Sequence, residues 1–314
     1  MPKIGTYTDR VTHLHRSVAV FLLAALAILQ PAAPRAQAIQ RSMYVSVLNS
    51  AGAPVADLGP SDFLVREDNV AREVLQVAPA RDPMQIAMMV DNSQAARDYI
   101  RDIRNGLEAF VAEMTAASET GTRNQLSIVA VAERPTILAD TSFDRVQIMK
   151  GVNRIFEQRG SANYLLEGII EVSKGFIKRG AERPLIVAIT TEGPEYSQRQ
   201  YEDVVKPLRD AGAALHVIVL GLPSNDISDD ARNRGRVLDE GPRASGGRRD
   251  SLLASSALPG ALRQLAAELT HQYRVTYARP QSLIPPERVT VSATRPGLTA
   301  RGTLIKEDKE KRRP

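Results

Sequence analysis

The chain has no cysteine and no tryptophan in 314 residues, and aromatic residues make up only 4% of it. Without cysteine there is no disulfide, no thiolate nucleophile or metal ligand, and no lipid-modified cysteine to act as an anchor, so stability must come from packing alone. The longest apolar run, 18–29, falls short of the roughly 20 residues needed to cross a bilayer. Histidine is scarce as well. Beyond position 38 there are only His216 and His271. His216 lies inside the apolar run 215–220 and reads as a core residue, while His271 falls at a predicted helix end, where the dipole favours a partly charged ring. A hydrolase needs a nucleophile with a base beside it. These two positions offer no such pair, and the chain reads as a non-enzyme.

The net charge of +5 is concentrated at the two ends. Residues 1–38 carry Lys3, Arg10, Arg16 and Arg35 against Asp9, and the tail 306–313 carries five basic residues against three acidic ones. The body between them is close to neutral, which removes the electrostatic footprint expected of a nucleic-acid-binding protein.

What is present begins with an export signal. Lys3, Arg10 and Arg16 precede the apolar run, and Pro31, Pro34 and Ala36-Gln37-Ala38 follow it. This order predicts a cleavable signal peptide over 1–38. Cleavage after Ala38 would leave a secreted or periplasmic chain starting at Ile39, with no membrane span.

Two textures follow. Residues 39–81 alternate apolar and polar residues around turn signals such as Asn49-Ser50-Ala51-Gly52 and Asp68-Asn69, predicting a small β-rich segment. Over 82–280, short apolar strands at 86–90, 126–132, 136–138, 185–189, 215–220 and 273–277 alternate with amphipathic helices. That pattern predicts an α/β domain, a doubly wound and mostly parallel sheet covered on both faces. The stretch 223–256, rich in Asp, Arg, Gly and Ser, reads as a long loop in which Arg248 and Arg249 are solvated. Residues 281–305 contain an alternating strand at 289–293, expected to join 43–77 in one small lobe because neither buries a face alone. The charged segment 306–314 reads as a disordered tail.

In an open parallel sheet, ligands bind outside the carboxyl ends of the strands. Polar residues follow two of the most apolar strands directly, Asp91-Asn92-Ser93 and Thr190-Thr191-Glu192-Gly193. Acidic groups at such strand ends can face one another and attract a hard cation, with hydroxyl and amide oxygens completing the shell, or act as acid and base. Alternatively, Asp91 and Ser93 cap the helix that follows.

From Met43 to Thr303 the chain resembles secreted bacterial proteins with a von Willebrand factor A-related domain. The resemblance is carried, in order, by Val45-x-Val47, Gly52-Ala53-Pro54-Val55, Asp62-Phe63-x-Val65-x-Glu67-Asp68 and Met89-Val90-Asp91-Asn92-Ser93. It continues in Ile189-Thr190-Thr191-Glu192-Gly193, Ala244-Ser245-Gly246-Gly247-Arg248, Leu265-Ala266-Ala267-Glu268-Leu269 with Gln272, Tyr273 and Tyr277, and Arg295-Pro296-Gly297-Leu298.

The resemblance implies a metal-ion-dependent adhesion site of Asp-x-Ser-x-Ser, a threonine and an aspartate. Here that pattern is degenerate. Asp91 and Ser93 match, Ala95 stands at the second serine, Asn163 (or Ser161 in a shifted register) stands at the threonine, and Glu192 replaces the aspartate. Asp91, Ser93, Asn163 and Glu192 are therefore the candidate metal ligands, expected to converge at the sheet's carboxyl rim. Magnesium would be weakly held at most, and no other cofactor is implied. The function implied is an extracytoplasmic binding or adhesion module with a protein partner in the envelope or outside the cell. The alternative is a metal-independent structural or assembly scaffold.

Overall fold

The computed structural model describes residues 38–116, 123–223, 226, 228–281 and 284–306. The expected signal peptide, apart from Ala38, and the charged tail beyond Lys306 lie outside the described residues. Residues 39–279 and the described part of 284–314 belong to one compact unit.

The described chain opens in β structure, with strands β1 (Ala38–Leu48), β2 (Phe63–Glu67), β3 (Val70–Arg72) and β4 (Val74–Pro79). Asp68 and Asn69 turn β2 into β3 with φ of 45° and 71°, the positive values that a tight hairpin needs and that these residue types tolerate. Strands and helices then alternate: β5 (Gln85–Val90), α1 (Ile100–Met114), β6 (Gln125–Ala130), β7 (Thr136–Ser142), α2 (Arg145–Asn153), α3 (Leu165–Arg179) and β8 (Pro184–Thr191). The alternation continues through α4 (Tyr201–Ala211), β9 (Ala214–Leu220), α5 (Asp229–Ser245), β10 (Arg249–Leu252) and α6 (Leu258–Thr270). Strands β11 (Tyr273–Pro280), β12 (Val289–Ala293) and β13 (Thr299–Leu304) complete the described elements.

The central sheet has the order β10-β9-β8-β5-β6-β7. All its pairings are parallel except β6 with β7. Only the short link 131–135 joins those two strands, and a parallel pairing would need a crossover of about a dozen residues. Every residue of β8 and β9 is buried, as a strand covered on both faces requires. On β5 the period of two divides the layers. Met88 and Val90 meet the layer holding α1, α2 and α6, and Ala87 and Met89 meet the layer of α3, α4 and α5. Helix α1 supplies Ile103, Leu107, Phe110 and Met114 at helical spacing to the first layer. On the other face α3 comes so near that a Cβ on Gly168 would lie 2.6 Å from Met89 Cε.

The small lobe is two antiparallel sheets, ordered β13-β1-β11-β4 and β12-β2-β3. Val289 pairs with Glu67 and Ala293 with Phe63, so the flanking segments meet as expected. Its core is Met43, Val45, Val47, Leu58, Phe63, Val65, Tyr273, Val275 and Tyr277, with Phe63 and Tyr273 edge to face at 5.7 Å.

Three elements differ from the sequence reading. Strand β11 belongs to the lobe and not to the parallel sheet. Tyr273, Val275 and Tyr277 share one face of it, and that alternation suits a sheet buried on one side. The supposed loop 223–256 holds α5 and β10. Helix α5 is capped by Ser228 Oγ, which accepts from Ala231 N–H at 3.2 Å, and it ends on left-handed Gly246. It was hidden because Gly235, Gly241 and Pro242 read as breakers and only Val237 and Leu238 give it large apolar residues in the core. Strand β13 was missed because its sequence TARGTL is mostly polar.

The lobe is tied to the α/β body by buried charge. Arg301 of β13 reaches Glu268 of α6 at 2.7 Å, and Arg248 reaches the same carboxylate at 3.4 Å. Arg248 and Arg249 are thus paired and only partly exposed, not free in solvent; Arg249 bonds Asp239 at 2.6 Å. Beneath this junction His216 is 1% exposed, and neither ring nitrogen has a hydrogen-bond partner. Burial pushes its imidazole down to about 4; Glu268 pulls the other way, and Arg248 and Arg301 add to the depression. The chain passes from α5 to β10 through Gly247, where a Cβ would sit 1.9 Å from the Leu215 carbonyl oxygen.

Candidate functional site

Read along the sheet, the strand order in sequence terms is six, five, four, one, two, three, so the order reverses between β5 and β8. Ligands in open α/β sheets bind at such a switch point, outside the carboxyl ends of the strands. Asp91 follows β5 directly and Thr191 ends β8, which puts both at this crevice.

Asp91 is fully buried, and both its carboxylate oxygens are engaged. Oδ1 accepts from Ser93 N–H at 2.9 Å. Oδ2 accepts from the Thr191 hydroxyl at 2.6 Å, Thr191 N–H at 3.1 Å and Asn163 Nδ2 at 3.0 Å. Asn163, also fully buried, is the strut of the site. Its Nδ2 also donates to Thr190 Oγ1 at 2.8 Å, its N–H to the Pro194 carbonyl, and its carbonyl accepts from Tyr196 N–H. Asn92 fastens the neighbouring end. Its amide donates to the Phe156 carbonyl and accepts from Ala132 N–H, joining β5 to the strand beside it.

Asp91, Ser93 and Asn163 are therefore brought together. Ser93 stands at the N-cap of the 3₁₀ turn Gln94–Tyr99, but its hydroxyl makes no cap bond. Ser161, the shifted-register alternative, turns its hydroxyl to the Gln158 carbonyl at 2.6 Å. Glu192 lies on the same rim but faces elsewhere: its carboxylate meets Arg249 Nη2 at 3.2 Å and Arg234 Nη1 at 3.4 Å. Two arginines thus hold the group expected to reach a metal.

Glu195 and Arg234 were not singled out in the sequence reading, and Thr191 entered it only as part of the polar run after β8. Glu195 is 5% exposed and accepts from Leu165 N–H at 3.2 Å, satisfying one of the open amides at the start of α3. Ser197 continues the cap, accepting from Glu167 N–H and donating to Glu195. Burial pushes the Glu195 carboxyl up to about 7, against the pull of Ser197 and Arg234. The acidic residues Asp229 and Asp230 after Ser228 were the signal that could have revealed α5, and with it Arg234.

The magnesium ion that the resemblance implies can be tested against these donors. Both Asp91 oxygens already take four N–H and O–H donors, and Glu192 is neutralised by arginine. Ser93 Oγ and Asn163 Oδ1 are buried without a hydrogen-bond partner, and both are neutral. Ala95 adds no oxygen and packs against Gly193, where a Cβ would lie 2.6 Å from its own. Magnesium demands near-octahedral oxygen ligation at about 2.0–2.1 Å. These residues do not fit a tight site for it. Among the described residues, no group of three or more His, Cys, Asp and Glu is placed to hold a metal ion.

Around this closed polar centre the rim carries exposed apolar side chains. Phe156, Tyr196, Leu222 and Leu253 are 63%, 58%, 75% and 71% exposed. Tyr196 and Phe156 are joined to the centre through Asn163 and Asn92, and Leu222 and Leu253 follow the ends of β9 and β10.

No protein-family model and no curated protein sequence matches the chain. Among solved structures, von Willebrand factor type A from Catenulispora acidiphila is similar over 88% of this chain and 74% of its own, at 11% identity and a TM-score of 0.48. The vWF domain of the type V pili tip protein Mfa5 from Porphyromonas gingivalis is similar over 60% and 96%, at 9% identity and 0.45. The conserved hypothetical protein BatB from Bacteroides thetaiotaomicron is similar over 59% and 98%, at 14% identity and 0.43. Similarity at this level concerns the course of the chain and says nothing of ligands. The strand order, the antiparallel edge strand β7 and the helices on both faces make the chain a doubly wound α/β protein.

Proposed function

We propose that the protein is an extracytoplasmic protein-interaction module that docks its partner on the carboxyl rim of the central sheet, without catalysis and without a required metal ion. The observation that carries this reading is the rim itself. Exposed Phe156, Tyr196, Leu222 and Leu253 share the carboxyl rim with a polar centre whose buried aspartate is already saturated by protein donors. Large apolar side chains gathered around one end of a sheet favour contact with another protein. A non-catalytic role is supported by the two histidines beyond position 38. His216 is buried in a strand, and His271 bonds to its own helix at Ala267. Export is supported by the leader-like residues 1–38, and among the described residues no helix is long and apolar enough to cross a membrane.

A photo-crosslinking side chain placed at Leu222 or Leu253, in the cell that makes the protein, should yield a discrete adduct in the extracytoplasmic fraction. The same group at Phe143, which follows the β7 residue paired with the amino end of β6, should not. Equal yields at both ends, or recovery only from the cytoplasm, would sink the reading.

A further inference from the structure

Helix α5 turns one face to the core, and along that face Val237, Leu238 and Gly241 are buried at helical spacing from Arg234. An arginine with 4% of its surface exposed, on the buried face of a helix, is costly unless its charge is answered where it ends. It ends among the oxygens of one segment. Nη1 lies 3.4 Å from Glu192 Oε2, Nη2 donates to Thr190 Oγ1 at 3.2 Å and to the Thr191 carbonyl, and Nε lies 3.9 Å from Glu195 Oε2. A planar fork is suited to serving several oxygens at once, as a single ammonium is not.

We infer that Arg234 is the resident cation of the rim. Together with Arg249 on Glu192, it supplies the positive charge that Glu192, Glu195, Thr190 and Thr191 would otherwise draw from solution, and so makes the rim indifferent to divalent ions. The charge also reaches the aspartate site. Arg234 Nη2 and Asn163 Nδ2 both donate to Thr190 Oγ1, and the same Asn163 group donates to Asp91. A cation placed by the core face of a helix holds the segment 190–195 in one conformation. A soluble ion would let that segment respond to its concentration. The inference concerns the charge of the site and not its partner, so it stands whether or not the rim is the docking face.

Thermal melting of the full chain, in chelator, in magnesium chloride and in methylguanidinium chloride at matched ionic strength, tests this with three variants. The wild type should melt alike in chelator and in magnesium. Arg234→Ala should melt lower and recover on addition of low-millimolar methylguanidinium, which leaves the wild type unmoved, because a ligand that binds only the folded form stabilises it. Arg234→Lys keeps charge without the fork, and Arg234→Met keeps length without charge. The lysine variant should melt above the methionine variant by about 3 °C or more, a difference on the order of 1 kcal/mol for a chain of this size. If the alanine variant does not fold, the lysine and methionine pair decides alone. Magnesium raising the wild-type melting temperature would overturn the assignment. So would a methionine variant as stable as the lysine one, since packing alone would then explain the residue.

Discussion

At the rim, Glu195 is 5% exposed and has one guanidinium 3.9 Å away, whereas at the lobe junction Glu268 is 1% exposed and has two, at 2.7 and 3.4 Å. Burial works against the charge of both carboxylates. At Glu195 it prevails and lifts the group to about 7. At Glu268 His216, Arg301 and Arg248 outweigh it and hold the carboxyl below its ordinary value. The same two side-chain types therefore make a fixed cross-link in one place and a group that titrates near neutrality in the other. What separates them is the number and distance of the cationic partners, His216 included at Glu268, not depth.

The largest way to break this contrast is to remove a junction partner. Arg301→Met leaves Glu268 with only Arg248, and stripping one partner from a buried charge typically costs about 3–5 kcal/mol. Urea unfolding should show a loss of that order. A loss under about 1 kcal/mol would put this contact in the class of surface pairs.

Acid tests the junction next. The folded-state pKa of His216 is depressed, from 6.5 to about 4, so its contribution is fully present above pH 6.5 and is lost as pH falls toward 4. Linkage sets the loss at roughly 3 kcal/mol over that window. His216→Leu should flatten this limb of the stability profile while costing little near neutrality, since neither ring nitrogen has a partner to leave behind. An unchanged acid limb would assign it to carboxylates elsewhere.

The smallest effect is at the rim and has the opposite sign. The Glu195 pKa is raised, so its contribution is present below about 4.5 and is lost as pH rises through about 7. Glu195→Gln should therefore gain on the wild type between pH 5 and pH 8, by about 2 kcal/mol after allowance for solvent screening. A difference in urea midpoint that does not change with pH would show that the carboxyl is already ionised at pH 5.

The central strands were legible because β8 and β9 are buried on both sides, and a continuous apolar run such as 185–189, bounded by polar residues, suits a two-sided strand better than any surface element. The pairing of Asp91 with Asn163 was foreshadowed by strand ends and by the family resemblance. Its chemistry was not, because nothing local says that Thr191 would turn both N–H and hydroxyl onto Asp91. Arg234 was illegible for a different reason. In a window crowded with Arg, Asp and Gly, a charged residue on the buried face looks like every other charged residue until the helix axis is known. Tyr273 to Tyr277 misled in the other direction. Apolar and adjacent to a helix, they matched the βα rhythm, and only their alternation marked them for the lobe.

The pairing of β1 with β13 has a mechanical consequence. Met43 lies opposite Leu304, and the register runs inward to Leu48 opposite Thr299. The two flanks of the fold thus leave from neighbouring points on an antiparallel ladder. Tension between them pulls across the ladder and not along it, so its hydrogen bonds open in succession from the Met43 end. The force needed is that of a zipper, and the α/β body enters it partway, where the Thr303 bond to Ser245 and then the Arg301–Glu268 pair must break before the last rung opens.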